Sequence, residues 1–231
     1  MLRALIFDMD GVLIDSEPFW HEAEMAGFAL AGRRLTREDC LKTTGLRVDA
    51  VVDYWYSRSP WESPSPREVE SAIVERVIAL VLERGALKPG VGRALDFARS
   101  AGLRTALASS SPSAIIDAVL GRFGLRPRFE VVHSAEGEPY GKPHPGVYIR
   151  TAERLGVRPG ECAAVEDSPN GVLAAKAAGM RCIAVPEPAL RGHPWLAIAD
   201  AVVDSLDEIG GVLLTPSSDR GNICDRDRSA G

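Results

Sequence analysis

An apolar run, LRALIF (2–7), ends on Asp8 and Asp10, two carboxylates one residue apart, followed by Gly11. Two ionised carboxylates this close repel each other unless a cation or a shared proton intervenes. Oxygen-only donors at this spacing suit magnesium. Gly11 lets the backbone pack tightly and leaves nearby amides free to face an anion. Read alone, the pair could equally cap a turn, because a D-x-D after a strand is a weak motif.

Three later groups change that reading. Ser109 and Ser110, in ASSSPS, follow a second apolar run and can donate hydrogen bonds. Lys142 follows a third run, held between Gly141 and Pro143 in YGKPHPG. Glu166 and Asp167, in VEDSPNG, follow a fourth. Each has a plain structural explanation: a serine helix cap, a solvated lysine, an acidic helix start. Their coincidence at the ends of consecutive runs argues for one shared site, because ligands of open α/β sheets bind beyond the carboxyl ends of the strands.

The elements that must position these residues are readable as well. Short runs that do not alternate in polarity lie at 2–7, 103–109, 129–134, 161–165 and 181–185, with a sixth candidate at 199–205. Such runs suit strands buried on both faces of a parallel sheet. Helical patterns separate them at 90–102, 111–124, 144–156 and 168–179; Ser111 is read as an N-cap with Pro112 in the first turn. Strand and helix in alternation predict an α/β fold, a doubly wound, Rossmann-like parallel sheet.

Residues 16–85 break the alternation. They read as helices near 18–31, 36–42, 47–57 and 66–84, with a proline-rich break at SPWESPSP (59–66). The expected organisation is an α/β core from 1–15 and 86–214, a helical cap over 16–85, and a disordered polar tail over 215–231. An insert just after the paired aspartates is placed to act as a lid. A net charge of −5 gives no basic footprint, so neither nucleic acid nor a membrane surface is an expected partner. No apolar run approaches the roughly 18 residues of a membrane helix. The first strand starts almost at once, leaving no room for a leader. Cys40, Cys162, Cys182 and Cys224 form no C-x-x-C pair and read as free thiols, so the expected location is the cytoplasm. No interface stripe stands out, and a monomer is expected.

The order FDMDGVLIDSE, Ser109, Lys142, EDSPNG resembles the haloacid dehalogenase superfamily of phosphatases over residues 1 to about 210. The stretches GLRVDAVVDYWYSRSPW (45–61) and VEDSPNG are similar to its hexitol phosphatases and 2-deoxyglucose-6-phosphate phosphatases. The resemblance implies that Asp8 is the nucleophile, forming an aspartyl-phosphate, and that Asp10 is the acid and base. It implies magnesium held by Asp8, the Asp10 carbonyl and Asp167, with Glu166 close or coordinating. Ser109, Ser110 and Lys142 would bind the phosphoryl oxygens.

Substrates implied are small phosphorylated sugars or sugar alcohols, among them hexitol phosphates and 2-deoxyglucose 6-phosphate. Cap candidates for substrate contact are Glu17, Trp20 and Arg47; Trp20 also reads as cap–core packing, and Arg47 as solvent-facing. Val48, Val51, Val52 and Trp55, at helical spacing, read as core, and His21 as structural or exposed. Two alternatives are a β-phosphoglucomutase-type mutase and a non-catalytic phospho-sugar binding protein. The mutase subgroup has a histidine where this chain has Trp20. The intact acidic, serine and lysine set disfavours the binding protein.

Overall fold

The computed structural model describes residues 1–214, so the tail expectation for 215–231 lies outside the described residues. The chain opens with β1 (Ala4–Phe7). Four helices follow: α1 (Glu17–Leu30), α2 (Arg37–Cys40), α3 (Val48–Arg58) and α4 (Pro66–Arg84). Then come α5 (Val91–Ser100), β2 (Arg104–Ser109), α6 (Ser113–Arg122), β3 (Val131–Ser134), α7 (Gly146–Leu155) and β4 (Cys162–Glu166). The chain continues through α8 (Pro169–Ala177), β5 (Arg181–Ala184), β6 (Ala201–Val202) and α9 (Ile209–Leu214). The strands form one six-stranded sheet in the order β3-β2-β1-β4-β5-β6, every pair parallel.

The predicted strands are all present, and the differences lie at their ends. The fourth extends to Glu166, which brings that carboxylate into the sheet itself, fully buried. The sixth shrinks from 199–205 to two residues, as suits an edge strand paired on one side only. The Ser111 cap is corrected: α6 starts at Ser113 with Pro112 in the capping position, so the Ser111 hydroxyl is free for another partner.

Burial explains why these runs carry no alternation. Leu5 and Phe7 of β1 face one core, and Ala4 and Ile6 face the other. The first core takes in α5 and α6, through residues such as Leu95 and Ile116; the second takes in α7 and α8, through Val147 and Val172. Both faces of the sheet are therefore covered by helices. Each large apolar side chain buried in this way contributes about 1.5–3 kcal/mol.

The first core runs without a break into the helices between β1 and α5. It includes Phe28 of α1, Val48, Val51 and Val52 of α3, and Ile73 and Val77 of α4. Ser65 starts α4 with a capping box: its hydroxyl accepts from the Glu68 amide, and the Glu68 carboxylate accepts from the Ser65 amide. Helices α1 and α4 approach closely at Gly27, where a Cβ would lie 2.4 Å from Ile73 Cγ1. No helix among the described residues is long and apolar enough to cross a membrane.

The buried face of α1 also carries a carboxyl. Glu24 is 6% exposed, and burial pushes its pKa from 4.5 to about 7, with the Glu17 charge adding to the rise and a hydrogen bond from Cys40 opposing it. The folded state therefore holds this proton more tightly than the unfolded chain does. Its stabilising effect is complete below about pH 4.5 and is lost as the pH rises through 7.

Two outcomes are expected. Gly27→Ala gains about 1 kcal/mol of helix propensity but suffers about 1–3 kcal/mol of overpacking, so its urea midpoint falls. In an Ile73→Ala background the same change no longer destabilises. Glu24→Gln raises stability by up to about 3 kcal/mol at pH 8 and gains little at pH 4.5, which paired urea titrations measure.

Candidate active site

The sheet order brings the singled-out residues together. β1 lies between β2 and β4, so Asp8 and Asp10 emerge beside the ends of the strands carrying Ser109 and Glu166. The loop after β3 returns Lys142 to the same place. The Lys142 ammonium donates to Asp8 Oδ1 at 2.8 Å, Glu166 Oε1 at 2.6 Å and the Ala108 carbonyl at 3.2 Å. It is 5% exposed, so these partners replace its hydration. Burial alone would lower its pKa, but the carboxylates of Asp8 and Glu166 more than reverse this and hold it above the usual lysine range.

Around that ammonium sits an excess of negative charge. Asp8, Glu166 and Asp167 each place a carboxylate oxygen within 4.8 Å of the others. Burial and the neighbouring carboxylates raise Asp8 to about 7 against the pull of Lys142. The same causes push Asp167 well above the usual carboxylate range. An all-oxygen donor set with more negative charge than one lysine balances fits a hard divalent cation. Two glycines make the cluster possible. A Cβ on Gly171 would fall 1.9 Å from the Glu166 carboxyl carbon, and one on Gly11, at φ +70°, 1.8 Å from Asp167 Oδ2.

Glu166 is the most committed of the three. Its Oε1 accepts from Lys142 and from the Tyr148 hydroxyl at 2.5 Å; its Oε2 accepts from the Asp167 amide at 3.2 Å. With both oxygens engaged, it orients Lys142 more than it offers a free ligand atom. Tyr148 carried no signal in the sequence beyond its place on the apolar face of a helix.

The Asp10 carboxylate is held by hydroxyls and an indole. Ser16 donates to Oδ1 at 2.6 Å and Trp20 Nε1 donates to the same oxygen at 3.0 Å. Ser111 donates to Oδ2 at 2.6 Å, and Ser109 approaches it at 3.4 Å. Trp20 is thus a direct partner of Asp10 as well as part of the packing against the first core. The sequence marks Ser111 only as a helix cap, and it does not mark Ser16. The position of Ser111 before Pro112 was the available signal, obscured by its resemblance to a helix cap.

A cavity opens above these residues, between the sheet and the four-helix segment. Asp8, Asp10, Ser110, Lys142 and Asp167 line it from the sheet side; Glu17, Trp20, His21 and Glu24 line it from α1. Thr43 and Thr44 also border it, and Thr44 donates to Glu17 at 3.0 Å. The Ser110 hydroxyl is buried without a hydrogen-bond partner, whereas Ser109 is fully buried with its oxygen accepting from the Ser111 amide.

Arg47 is placed differently from the expectation. Its guanidinium pairs with Asp49 and donates to the carbonyls of Ala135 at 2.8 Å and Glu138 at 2.7 Å. Its side chain also packs against Gly141, where a Cβ would lie 2.9 Å from Arg47 Cγ. It therefore ties the start of α3 to the loop carrying Lys142, and it is neither solvent-facing nor in the main cavity. Of the two readings of His21, exposed is excluded: it is buried at 5% exposure, and it lines the cavity.

Comparison with known proteins agrees with this architecture. The chain is 48% identical over 209 residues to hexitol phosphatase B of Escherichia coli K12, covering 90% of this chain and 94% of that protein. The fold superposes on the crystal structure of CbbY from Rhodobacter sphaeroides in complex with phosphate, with a TM-score of 0.82 and 31% identity, over 91% and 97% of the two chains. A second structure of that protein, a D10N mutant in complex with xylulose-(1,5)bisphosphate, matches with a TM-score of 0.82 and 30% identity over the same shares. Residues 2–179 match the model of one hydrolase family, and the chain is a member of that family, the haloacid dehalogenase-like hydrolases.

Proposed function

We propose that this hydrolase is a magnesium-dependent phosphatase of small sugar and sugar-alcohol monophosphates, acting through an aspartyl-phosphate on Asp8. The observation that carries the reading is the buried Asp8–Lys142–Glu166 arrangement beside an Asp10 held by hydroxyls, all on the sheet side of one cavity. The likeness to hexitol phosphatase B supports the substrate class.

In the first step, an Asp8 carboxylate oxygen attacks phosphorus and the bond to the sugar oxygen breaks. Asp10 gives its proton to that leaving oxygen. In the second step, Asp10 takes a proton from water, whose oxygen attacks the phosphorus, and Asp8 is released with inorganic phosphate. Lys142 and the unpartnered Ser110 hydroxyl face the phosphoryl oxygens, where charge is spread during transfer. Ser109, expected to bind a phosphoryl oxygen, is fully buried outside the cavity lining and, with the cavity-lining Ser111, keeps Asp10 in place. Asp8, Asp167 and the Asp10 carbonyl would hold the magnesium, whose charge, when bound, offsets repulsion between Asp8 and a phosphate dianion. Residues 16–85 serve as the cap that excludes water and selects the leaving group.

Three measurements bear on this. Phosphate release from hexitol 6-phosphates, compared with other sugar phosphates by kcat/KM, is expected to need magnesium and to stop with EDTA. Asp8→Asn is expected to lower kcat by at least about a thousandfold with the fold intact by circular dichroism; full activity would remove Asp8 as nucleophile. Gly171→Ala, which forces the Glu166 carboxyl and hence Lys142 to shift, is expected to lower kcat by about a hundredfold. A wild-type rate in that variant would contradict the role given to Glu166.

A further inference from the structure

The cavity is lopsided in charge. Lys142, on its sheet side, is the one lysine or arginine among the described residues lining it. The α1 side is built by Glu17, His21 and Glu24, spaced four and three residues apart and so on one face of the helix. Glu24 and His21 are 6% and 5% exposed. Even so, Glu24 Oε2 and His21 Nε2 have no hydrogen-bond partner; the latter stands 3.1 Å from Glu17 Oε1 without hydrogen-bond alignment. Buried polar atoms are normally satisfied, and leaving them bare is costly. Of the buried unpartnered side-chain atoms among the described residues, those of Ser110, His21 and Glu24 all belong to residues of this one cavity, on its sheet side and its α1 side.

We infer that Glu24 and His21 form a hydroxyl-recognition side of the cavity, which selects leaving groups that are uncharged and polyhydroxylated far from the phosphate and rejects a second phosphate. The inference rests on the phosphatase reading and specifies its substrate. A carboxylate accepts from sugar hydroxyls, and an imidazole can donate or accept. A distal phosphate would face Glu17, and above about pH 7 an ionised Glu24 as well, with no lysine or arginine beside it, and like charges so placed repel.

The neighbouring recess offers no better berth. Its arginine, Arg47, is held by Asp49 and two carbonyls, and Glu70 and Glu136 line it as well. The related CbbY holds xylulose-(1,5)bisphosphate, so the charge on this side would separate the two proteins by substrate.

The test compares a hexitol 6-phosphate, the matching hexitol 1,6-bisphosphate and phenyl phosphate in the parent, Glu24→Gln, Glu24→Leu and His21→Asn. The parent is expected to prefer the monophosphate to the bisphosphate by at least about thirtyfold in kcat/KM. Glu24→Leu is expected to lower the ratio of hexitol phosphate to phenyl phosphate by about ten- to a hundredfold, mainly through KM, with Glu24→Gln and His21→Asn intermediate. A ratio within about twofold of the parent in both Glu24 variants would overturn the inference, as would equal parent rates on mono- and bisphosphate. Glu24→Gln is close to isosteric and keeps the test valid if the leucine variant fails to fold. A parent that hydrolyses no phosphomonoester would refute the phosphatase reading. Calorimetric binding of the same two hexitol phosphates to Asp8→Asn, with and without Glu24→Leu, would then still decide the inference: equal affinities would overturn it.

Discussion

The Lys142 ammonium, clasped between Asp8 and Glu166 at 2.8 and 2.6 Å beneath the sheet's carboxyl edge, is the interaction on which the rest of the site depends. A lysine this buried has to be paired, and Asp8 after β1 and Glu166 at the end of β4 supply that pairing. That requirement fixes the loop after β3 over β1 and β4. It also explains the surroundings: Tyr148 closes the remaining face of Glu166 Oε1, and Gly171 leaves room for the carboxyl. The pairing neutralises only part of the cluster. The remaining charge, on Asp8 and Asp167, creates the demand for a cation, and burial together with the neighbouring carboxylates raises both carboxyls.

The second constraint is the joint between the sheet and the helices that follow β1. The two share one apolar core, and α1 begins ten residues beyond the end of β1. Ser16 and Trp20, at the head of α1, both donate to Asp10 Oδ1, so the residue assigned to proton transfer is held from the cap side. Arg47 fastens the other side of the joint, from the start of α3 to the loop of Lys142. The helical segment is therefore bonded to the sheet side of the cavity at two points, one on the proposed acid and base, the other on the loop of the proposed phosphate ligand.

Much of this could be read from the residues. Parallel strands buried on both faces leave continuous apolar runs, and chemistry at their carboxyl ends leaves polar residues just after them; both marks survive in the sequence. What could not be read depends on geometry across the fold. Ser111 looked like a cap because the sequence does not say that Pro112 takes that position. Tyr148 carries no mark of its role because its hydroxyl partner lies 18 residues away. Arg47 looked like a surface or substrate residue because its carbonyl partners are 88 and 91 residues distant. Glu24 and His21 left a faint signal, polar residues at the spacing of a buried helical face. That pattern ordinarily marks a solvated helix face, because charged residues are rarely buried.

The central claim is that Asp8 carries the phosphoryl group. Turnover with a hexitol phosphate, quenched rapidly in acid and reduced with borohydride, converts an aspartyl-phosphate to homoserine, which peptide mass spectrometry locates. The account predicts homoserine at position 8 in the wild-type protein during turnover and none without substrate. Steady phosphate release with position 8 unmodified, or with the modification on another carboxylate, would contradict it.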